Sequence, residues 1–490
     1  MSVGESTVVA DGWGWRFGAM PSLSNDGVSF TITAGERVLL LGSSGSGKST
    51  LLRGIAGLLG DDEGESVGSL TVNGQHARAG AGRVGFVMQD PDTQAVLARV
   101  GDDVAFGCEN FGVPSALIWP RVEQALELVD LRVSLDHPTS ALSGGQKQRL
   151  ALAGALAMQP DVLLLDEPTA NLDPAGAALV RESVERVASE TQATVIVVEH
   201  RLDLWWHFAT RVIVLGTNGH VIADGTPEQV LTRAHDELER AGIWLPDFEG
   251  PNARASLAGN PLLFADDVTV ARRGGAPVQK ALSLAISQGE FIAVTGPNGC
   301  GKSTLALTLG GLLPPMAGAL RASELLAPAH KRAKNYSPIT WKSQQLHTRI
   351  GSVFQTPAHQ FVRATVFDEL ALSAKTAHID GAERTKAVSK MLDRMGLTAQ
   401  ANANPFALSG GQQRRLSVAT ALIAKPAVLV LDEPTFGQDS NTWREIVSIM
   451  GEVCDQGSAV VAMTHDPHLV RAAGRHMALS AAESSMGGVQ

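Results

Sequence analysis

The clearest chemistry in the sequence lies in Gly42-Ser43-Ser44-Gly45-Ser46-Gly47-Lys48-Ser49 and Gly296-Pro297-Asn298-Gly299-Cys300-Gly301-Lys302-Ser303, which both fit G-x-x-x-x-G-K-[ST]. Each follows an apolar run, Arg37–Leu41 or Phe291–Thr295, and precedes an apolar-periodic stretch, so each reads as strand, loop and helix. Glycines let backbone N–H groups converge on an anion, and the helix N-terminus adds its partial positive charge. Lys48 and Lys302 would then reach β- and γ-phosphates, and the Ser49 and Ser303 hydroxyls would ligate Mg²⁺. The remaining phosphate-facing positions are Gly42, Ser43, Gly45, Gly47 and Thr50 in the first run, and Gly296, Asn298, Gly299, Gly301 and Thr304 in the second. A glycine-rich turn with a chance lysine is the plain alternative, and two copies in matched context weigh against it.

A second constellation is acidic. Val162–Leu165 runs into Asp166-Glu167, and Val428–Leu431 runs into Asp432-Glu433. These are buried strands ending in two carboxylates, and side chains alternate along a strand, so the two acids can take separate jobs. Asp166 and Asp432 would hold the Mg²⁺ shell, while Glu167 and Glu433 would orient and deprotonate an attacking water. A lone Asp-Glu pair is often only a solvated strand end; placed downstream of a phosphate loop, it is more than that.

These elements occur twice because the chain is one domain written twice. The offsets are 254 for Lys48 to Lys302, 266 for Gln89 to Gln355, Ser143 to Ser409 and Glu167 to Glu433, and 265 for His200 to His465. The 12 extra residues between Lys302 and Gln355 fall within Ala322–Thr348, a polar stretch that reads as a surface loop. Strands alternate with helices in each copy, which predicts a mainly parallel sheet with crossover helices. Residues 1–233 form the first domain, 234–260 a linker with one helical turn at most, and 261–490 the second domain. Asn218-Gly219 reads as a hairpin turn late in the first copy, and the second copy is expected to lack that hairpin.

Composition narrows the function class. Lys+Arg 40 against Asp+Glu 50 gives 40 − 50 = −10, so no general electrostatic pull toward nucleic acid or anionic lipid is expected. Hydrophobic residues at 44% and charged residues at 18% indicate packed globular domains rather than disorder. Cys108, Cys300 and Cys454 are too few for a disulfide framework or a four-cysteine zinc site. The N-terminal residues do not pattern as a signal peptide, and no apolar run approaches the 18 residues of a membrane span. A chain of this kind works at a membrane only if a partner holds it there.

Leu142–Gln146 and Leu408–Gln412 both read LSGGQ, between a phosphate loop and a DEPT strand end. With these residues the chain resembles the ATP-binding cassette (ABC) ATPase family over nearly its whole length, twice. The resemblance implies an α/β fold: two tandem ABC-type phosphate-loop nucleotide-binding domains, each a mainly parallel sheet core with an antiparallel edge and a helical subdomain. It implies ATP and Mg²⁺ as cofactors, and a head-to-tail pair in which each ATP lies between one cassette's phosphate loop and the other's signature. Lys48 would share a nucleotide with Ser409, Gly411 and Gln412, and Lys302 with Ser143, Gly145 and Gln146. A 27-residue linker reaches up to about 90 Å, enough for an intramolecular pseudo-dimer. Gln89 and Gln355 match the glutamine that senses Mg²⁺ and water, His200 and His465 the switch histidine that contacts the γ-phosphate, and Asp173 and Asp439 the D-loop aspartate. Phe17 matches the ring that stacks on adenine, whereas the second copy reads VTVARRG there and would use Arg272 or Arg273. The second D-loop, Phe436-Gly437-Gln438-Asp439, also departs from Asn171-Leu172-Asp173. Cys300, inside the second phosphate loop, reads as a small filler side chain.

Among double cassettes, the local sequence is most similar to the ATPases of energy-coupling factor (ECF) importers of the vitamin or metal-ion class. A second glutamine follows the first by five residues in both copies, Gln94 after Gln89 and Gln360 after Gln355. The segments Gln94–Asp103 and Gln360–Glu369 would form a groove for a cytoplasmic helix of a membrane partner, with Asp102, Asp103, Asp368 and Glu369 pairing to its basic residues. Ordinary helical-subdomain core is the bland reading of the same segments. The implied partners are a transmembrane coupling subunit and a substrate-binding membrane subunit, with no nucleic acid, at the cytoplasmic face of the membrane. The ATPase of another ABC importer and a soluble ABC ATPase acting on the ribosome stand as alternatives.

Overall fold

The computed structural model describes residues 8–18, 27–43, 45–60, 62–77, 84–170, 172, 174–199, 201–216, 219–251, 259–272, 274–328 and 336–480. The chain divides into two compact units, one of Met1–Phe248 with Asp439–Asn441 and the other of Glu249–Gln438 with Thr442–Gln490.

In the first unit the central sheet runs in the order Val221–Gly225, Arg211–Leu215, Arg37–Gly42, Thr194–Val198, Val162–Asp166, Val84–Val87. All neighbours are parallel except Val221–Gly225, which returns antiparallel on Arg211–Leu215. The strands VLLLD and TVIVV are buried at every position, as a sheet covered on both faces requires. Alternation sends their side chains into separate cores. Leu39, Leu41, Leu163, Leu165, Val195 and Val197 face one, with the helices Val100–Asn110, Ser115–Leu128 and Gly144–Ala157. Val38, Leu40, Val162, Leu164, Ile196 and Val198 face the other, shared with Trp13, Trp15, Phe30 and Leu70 of an antiparallel sheet. That sheet has the order Val28–Ile32, Val8–Phe17, Gly64–Val72, Gln75–His76.

The second unit repeats this plan. Its parallel sheet has the order Ile350–Val353, Val428–Asp432, Ala459–Met463, Phe291–Thr295, Arg475–Ala478. Its antiparallel sheet is Gln279–Ser287, Pro261–Val270, Ala317–Ala322. Helices Val366–Thr376, Gly381–Arg394 and Gly410–Ile423 form its helical part. The α/β class expected for both copies is the class observed.

Two boundaries differ from the sequence reading. Position 233 falls inside a helix, Pro227–Arg240, that opens on a Thr226/Gln229 capping box. Val230, Ala234 and Leu238 recur every fourth residue and are buried, and Ile243 and Leu245 join them in the first unit's core. The described part of the expected linker up to Phe248 therefore belongs to the first unit; residues 252–258 lie outside the described residues. The polar insertion in 322–348 is also more than loop. It carries the helix Ser343–His347, and Trp341 and Leu346 pack on the second core, with 329–335 outside the described residues. The late hairpin is present in the first unit, with Gly219 at φ 79° and Asn218 outside the described residues. Its expected absence from the second copy falls on 481–490, also outside them.

Each antiparallel sheet has a bulge at the same place, between Asp11 and Gly14 and between Asp266 and Thr269. Gly68 and Gly318 face these bulges at φ 70° and 78°, and a Cβ there would lie 2.2 Å from the Gly12 carbonyl and 2.3 Å from the Asp267 carbonyl. Neither backbone oxygen can give way cheaply. Gly68→Ala and Gly318→Ala are each expected to cost more than about 1 kcal/mol, read as a drop in denaturation midpoint. Gly154→Ala, in a helix with open space around it, is expected to leave the midpoint unchanged or raise it.

Candidate functional site

Both phosphate loops close a parallel strand onto a helix through a left-handed glycine at the helix N-cap, Gly47 at φ 88° and Gly301 at φ 100°. In the first unit Lys48 is buried at 5% exposure, and its Nζ donates to the carbonyls of Gly42 at 2.7 Å and Ser43 at 2.9 Å. Burial lowers the Lys48 ammonium to about 8, against the pull of Glu167 and Asp166. In the second unit Lys302 donates to Gly296 at 2.8 Å and Pro297 at 3.1 Å. A Cβ on Gly42 would meet the Leu215 carbonyl at 2.7 Å, and one on Gly296 the Leu479 carbonyl at 2.8 Å, so the loops need glycine where they leave the strand. Ser44 lies outside the described residues. Cys300 is buried, as a filler would be, and its carbonyl accepts from Gln279 Nε2 at 2.9 Å. That glutamine ties a strand of the antiparallel sheet to the loop, and no sequence pattern singled it out.

The acidic pairs end the strands Val162–Asp166 and Val428–Asp432. Glu167 and Glu433 take φ of 47° and 51°, a conformation rare outside glycine, and their N–H groups donate to Val198 and Met463 on the neighbouring strands at 2.9 Å. Strain of this kind collects at functional sites. In the first unit Gln89 Nε2 donates to Glu167 Oε2 at 2.7 Å. In the second, Ser303 Oγ meets Gln355 Oε1 at 3.4 Å and hydrogen-bonds Asp432. Burial raises the Asp432 carboxyl, with the Ser303 hydrogen bond opposing. Burial also pushes Glu433 up to about 7, with the His465 N–H opposing. That N–H donates to Glu433 Oε2 at 3.3 Å, and His465 Nε2 lies 3.1 Å from Asn298 Oδ1. His200 and Asp173 lie outside the described residues, as does Arg273.

These donors fit Mg²⁺. A hydroxyl, an amide oxygen and one carboxylate converge in the second unit, the hard oxygen set that Mg²⁺ takes together with nucleotide phosphates. Among the described residues no three His, Cys, Asp or Glu side chains converge, so an all-protein cage is not what the site offers.

Ser143 and Ser409 cap the signature helices Gly144–Ala157 and Gly410–Ile423. Gln146 and Gln412 accept from the Ser143 and Ser409 N–H groups at 2.9 and 3.0 Å, so their side chains close capping boxes. Ser143, Gly144, Ser409 and Gly410 are exposed, leaving helix N-termini open to an anion. In the second unit Gln438 donates to the Gly411 carbonyl at 3.4 Å and the Phe436 carbonyl at 3.1 Å. The departing D-loop residue thus braces the signature helix.

The expected groove acids are corrected. Asp103 Oδ1 accepts from the Val96 and Leu97 N–H groups at 2.8 Å, and buried Glu369 accepts from Val362 and Arg363 at 2.9 and 2.7 Å. Both acids satisfy their own loops. Only Asp102 and Asp368 of the four are exposed, and Asp368 accepts from Thr365 Oγ1 at 2.8 Å. Gln94 and Gln360 likewise face the backbone: Gln94 bridges Met88 N and Phe86 O at 2.8 and 3.0 Å, Gln360 bridges Phe354 N and Ser352 O at 3.1 and 3.0 Å.

The ABC transporter family profile matches residues 25–170 and 279–436. The chain belongs to the ABC transporter ATP-binding family. It is a double-cassette ABC ATPase, and the two matched stretches each contain one phosphate loop, one signature and one acidic pair. It is similar to the "Putative HMP/thiamine import ATP-binding protein YkoD" of Bacillus subtilis (strain 168), 35% identical over 90% of this chain and 84% of that protein. It is also similar to a "Putative ABC transporter ATP-binding protein" of Methanosarcina mazei, 34% identical over 90% of this chain and 82% of that one. Among solved structures, a chain from the complex of archaeal ribosomal stalk protein aP1 and ribosome recycling factor aABCE1 has a TM-score of 0.64 at 20% identity, covering 95% of this chain and 87% of that one. At that identity the likeness is one of fold alone.

Strand register aligns the cassettes at the position expected to stack on the base. Asp11 pairs with Ser69 and Gly14 with Val67; Asp266 pairs with Ala319 and Thr269 with Ala317, an offset of 255 that carries Phe17 to Arg272. Phe17→Ala is expected to weaken ATP binding at the Lys48 site, since base stacking on an aromatic contributes about 1–3 kcal/mol. The Lys302 site is expected to discriminate ATP from GTP less well; equal selectivity in single-site knockouts would refute the assignment. The raised Glu433 carboxyl has a stability consequence. Between its ordinary 4.5 and about 7 the folded protein binds more protons than the unfolded chain, so this group lowers stability as pH rises through that window. Glu433→Gln cannot ionise. Its thermal midpoint is expected to match the parent near pH 4.5 and to exceed it increasingly up to pH about 7, as read by paired melts of the nucleotide-free proteins.

Proposed function

We propose that this ATPase powers substrate uptake by an ECF-type membrane importer of the vitamin or metal-ion class. The observation that carries the reading is the double set of site groups: phosphate loop, acidic pair and signature helix N-terminus are all present in both units. A relative named for HMP/thiamine import, similar over 90% of the chain, supports import, and the paired glutamines Gln94 and Gln360 favour the ECF class. Among the described residues no helix is long and apolar enough to cross a membrane, so membrane work calls for a transmembrane coupling subunit and a substrate-binding membrane subunit. Those partners would hold the chain at the cytoplasmic face.

In this reading ATP joins Lys48 with Ser409 and Gly411, and Lys302 with Ser143 and Gly145, in an intramolecular head-to-tail pair. Lys48 and Lys302 neutralise the β- and γ-phosphates, and the serine-capped helix ends add N–H and O–H donors. Ser49, Gln89 and Asp166, or Ser303, Gln355 and Asp432, would hold Mg²⁺, which would supply charge neutralisation at the phosphates. Glu167 and Glu433 take the proton of the attacking water, and His200 and His465 contact the γ-phosphate. The raised carboxyl of Glu433 suits a base working near neutral pH. The domain division follows as two cassettes joined through a connector that begins beyond Phe248.

Two experiments test this. Glu167→Gln with Glu433→Gln is expected to bind ATP and hold a compact nucleotide-bound form while turnover falls by orders of magnitude; undiminished ATPase would remove both glutamates as bases. Asp102→Lys with Asp368→Lys is expected to abolish copurification with hydrophobic membrane subunits while the isolated protein keeps its ATPase. Copurification with ribosomes at low salt, and no membrane subunit, would instead support a soluble ABC ATPase.

A further inference from the structure

The residue after the switch histidine differs between the cassettes: Arg201 in the first and Asp466 in the second. In the first unit the Arg201 guanidinium lies 5.6 Å from the centre of the Trp244 ring, and the Thr169 hydroxyl donates to Glu199, the residue before the histidine, at 2.5 Å. In the second unit that task moves to the other side of the histidine. Asp466 Oδ2 accepts from Thr435 Oγ1 at 3.1 Å and from Trp443 Nε1 at 2.5 Å. Its Oδ1 accepts from the His468 N–H at 2.9 Å, and its own N–H donates to Thr464 Oγ1 at 2.9 Å. One carboxylate thus fixes the turn that carries His465.

The donors of Asp466 come from informative places. Thr435 follows Glu433 by two residues, on the loop that leaves the acidic pair. Trp443 is 1% exposed, lies in the helix Ser440–Asp455 that follows the D-loop, and packs edge-on against His468 at 6.2 Å. At the offset of 266 its counterpart in the first cassette is Ala177, which has no donor to offer. His465 touches both Glu433 through its N–H and the phosphate-loop Asn298 through its ring. A shift of the helix after the D-loop therefore has a route to the Glu433–His465–Asn298 cluster through the Trp443 indole N–H and the Asp466 carboxylate.

We propose that Asp466 is a positioning residue for turnover at the Lys302 site, aiming His465 and linking it through Trp443 to the helix that follows the D-loop. This rests on the reading of His465 as the γ-phosphate contact. The first cassette has Ala177 and Arg201 where the second has Trp443 and Asp466, so this pair of side chains belongs to the Lys302 site.

The test uses the full chain in a Glu167→Gln background, so that the remaining turnover arises at the Lys302 site. kcat, KM for ATP, ATP affinity and the thermal midpoint are measured for Asp466→Ala, Asp466→Asn, Trp443→Phe and His465→Ala. Hydrogen bonds to a charged group are strong enough that Asp466→Ala is expected to lower kcat about tenfold or more, with KM and ATP affinity within about threefold. Asp466→Asn, which keeps one acceptor oxygen, is expected to recover part of that loss. Trp443→Phe keeps a ring in the core and removes the N–H; it is expected to lower kcat about threefold or more alone, and not at all in combination with Asp466→Ala. A kcat for Asp466→Ala within about twofold of the background protein would overturn the proposal. So would losses in kcat, ATP affinity and thermal midpoint that fall together, or effects of Trp443→Phe and Asp466→Ala that simply multiply. Unchanged turnover in His465→Ala would instead sink the underlying site reading, whereas an inactive His465→Ala beside an active Asp466→Ala would sink only this inference.

Discussion

Buried charge at the carboxyl ends of parallel strands is the constraint on which the rest of this protein depends. A strand interior to a covered sheet has no water to solvate an ion. Yet Lys48, Lys302, Asp432 and Glu433 are all buried at such strand ends or on the loops that leave them. Burial drives the ammonium of Lys48 down to about 8 and the carboxyl of Glu433 up to about 7, so desolvation moves cation and anion toward neutrality from opposite sides. The loop carbonyls that accept from the lysines, and the serine that hydrogen-bonds Asp432, offset part of the cost. A polyphosphate with its cation satisfies the same groups better, which is the physical reason that such strand ends bind nucleotides.

That cost explains much of the architecture. The buried lysines require glycine where the loop leaves its strand, because the next strand's carbonyl lies within 2.8 Å of any Cβ there. The acidic pairs require a left-handed residue after the aspartate, so that the glutamate N–H can bond across to the neighbouring strand while its side chain turns away. The apolar strands on either side, buried at every position, are what make the strained turns tolerable: both faces of the sheet are packed and leave the strand ends nowhere to relax.

How much of this was legible depended on whether the chemistry was contiguous. Phosphate loop, signature and acidic pair are short runs whose own spacing states their geometry, and with the repeat they disclosed the fold class and the core of the site. Side chains that serve distant backbone were not legible. Gln94 and Gln360 read as a family pattern opening the groove segments, yet each reaches back to bond the end of an edge strand. Asp103 and Glu369 resembled a docking surface, yet close their own loops. Gln279 and Gln438 have no motif at all, since a glutamine bonding a remote carbonyl leaves no periodicity to detect. The helix Pro227–Arg240 is hard to read for a different reason: glycines and prolines follow it closely, and of its four buried residues Val230, Ala234 and Leu238 are spread one per turn.

The duplicated chain also separates what the fold needs from what each site adjusts. Both copies keep the strand-end acids, the glycine-lined loop and the serine cap, because each answers a backbone or desolvation demand. Where no such demand acts, the copies diverge. Phe17, half-buried against the first unit's core beside Trp15, gives way at an offset of 255 to the exposed Arg272, so the second copy folds without that ring. The DEPT threonine donates to Glu199 in one copy and to Asp466 in the other, because any carboxylate within its reach can accept that bond. Moving that carboxylate by two positions leaves the strand unchanged but exposes the turn to a new neighbour, the Trp443 indole. Duplication thus preserves the phosphate chemistry while changing which element each site responds to.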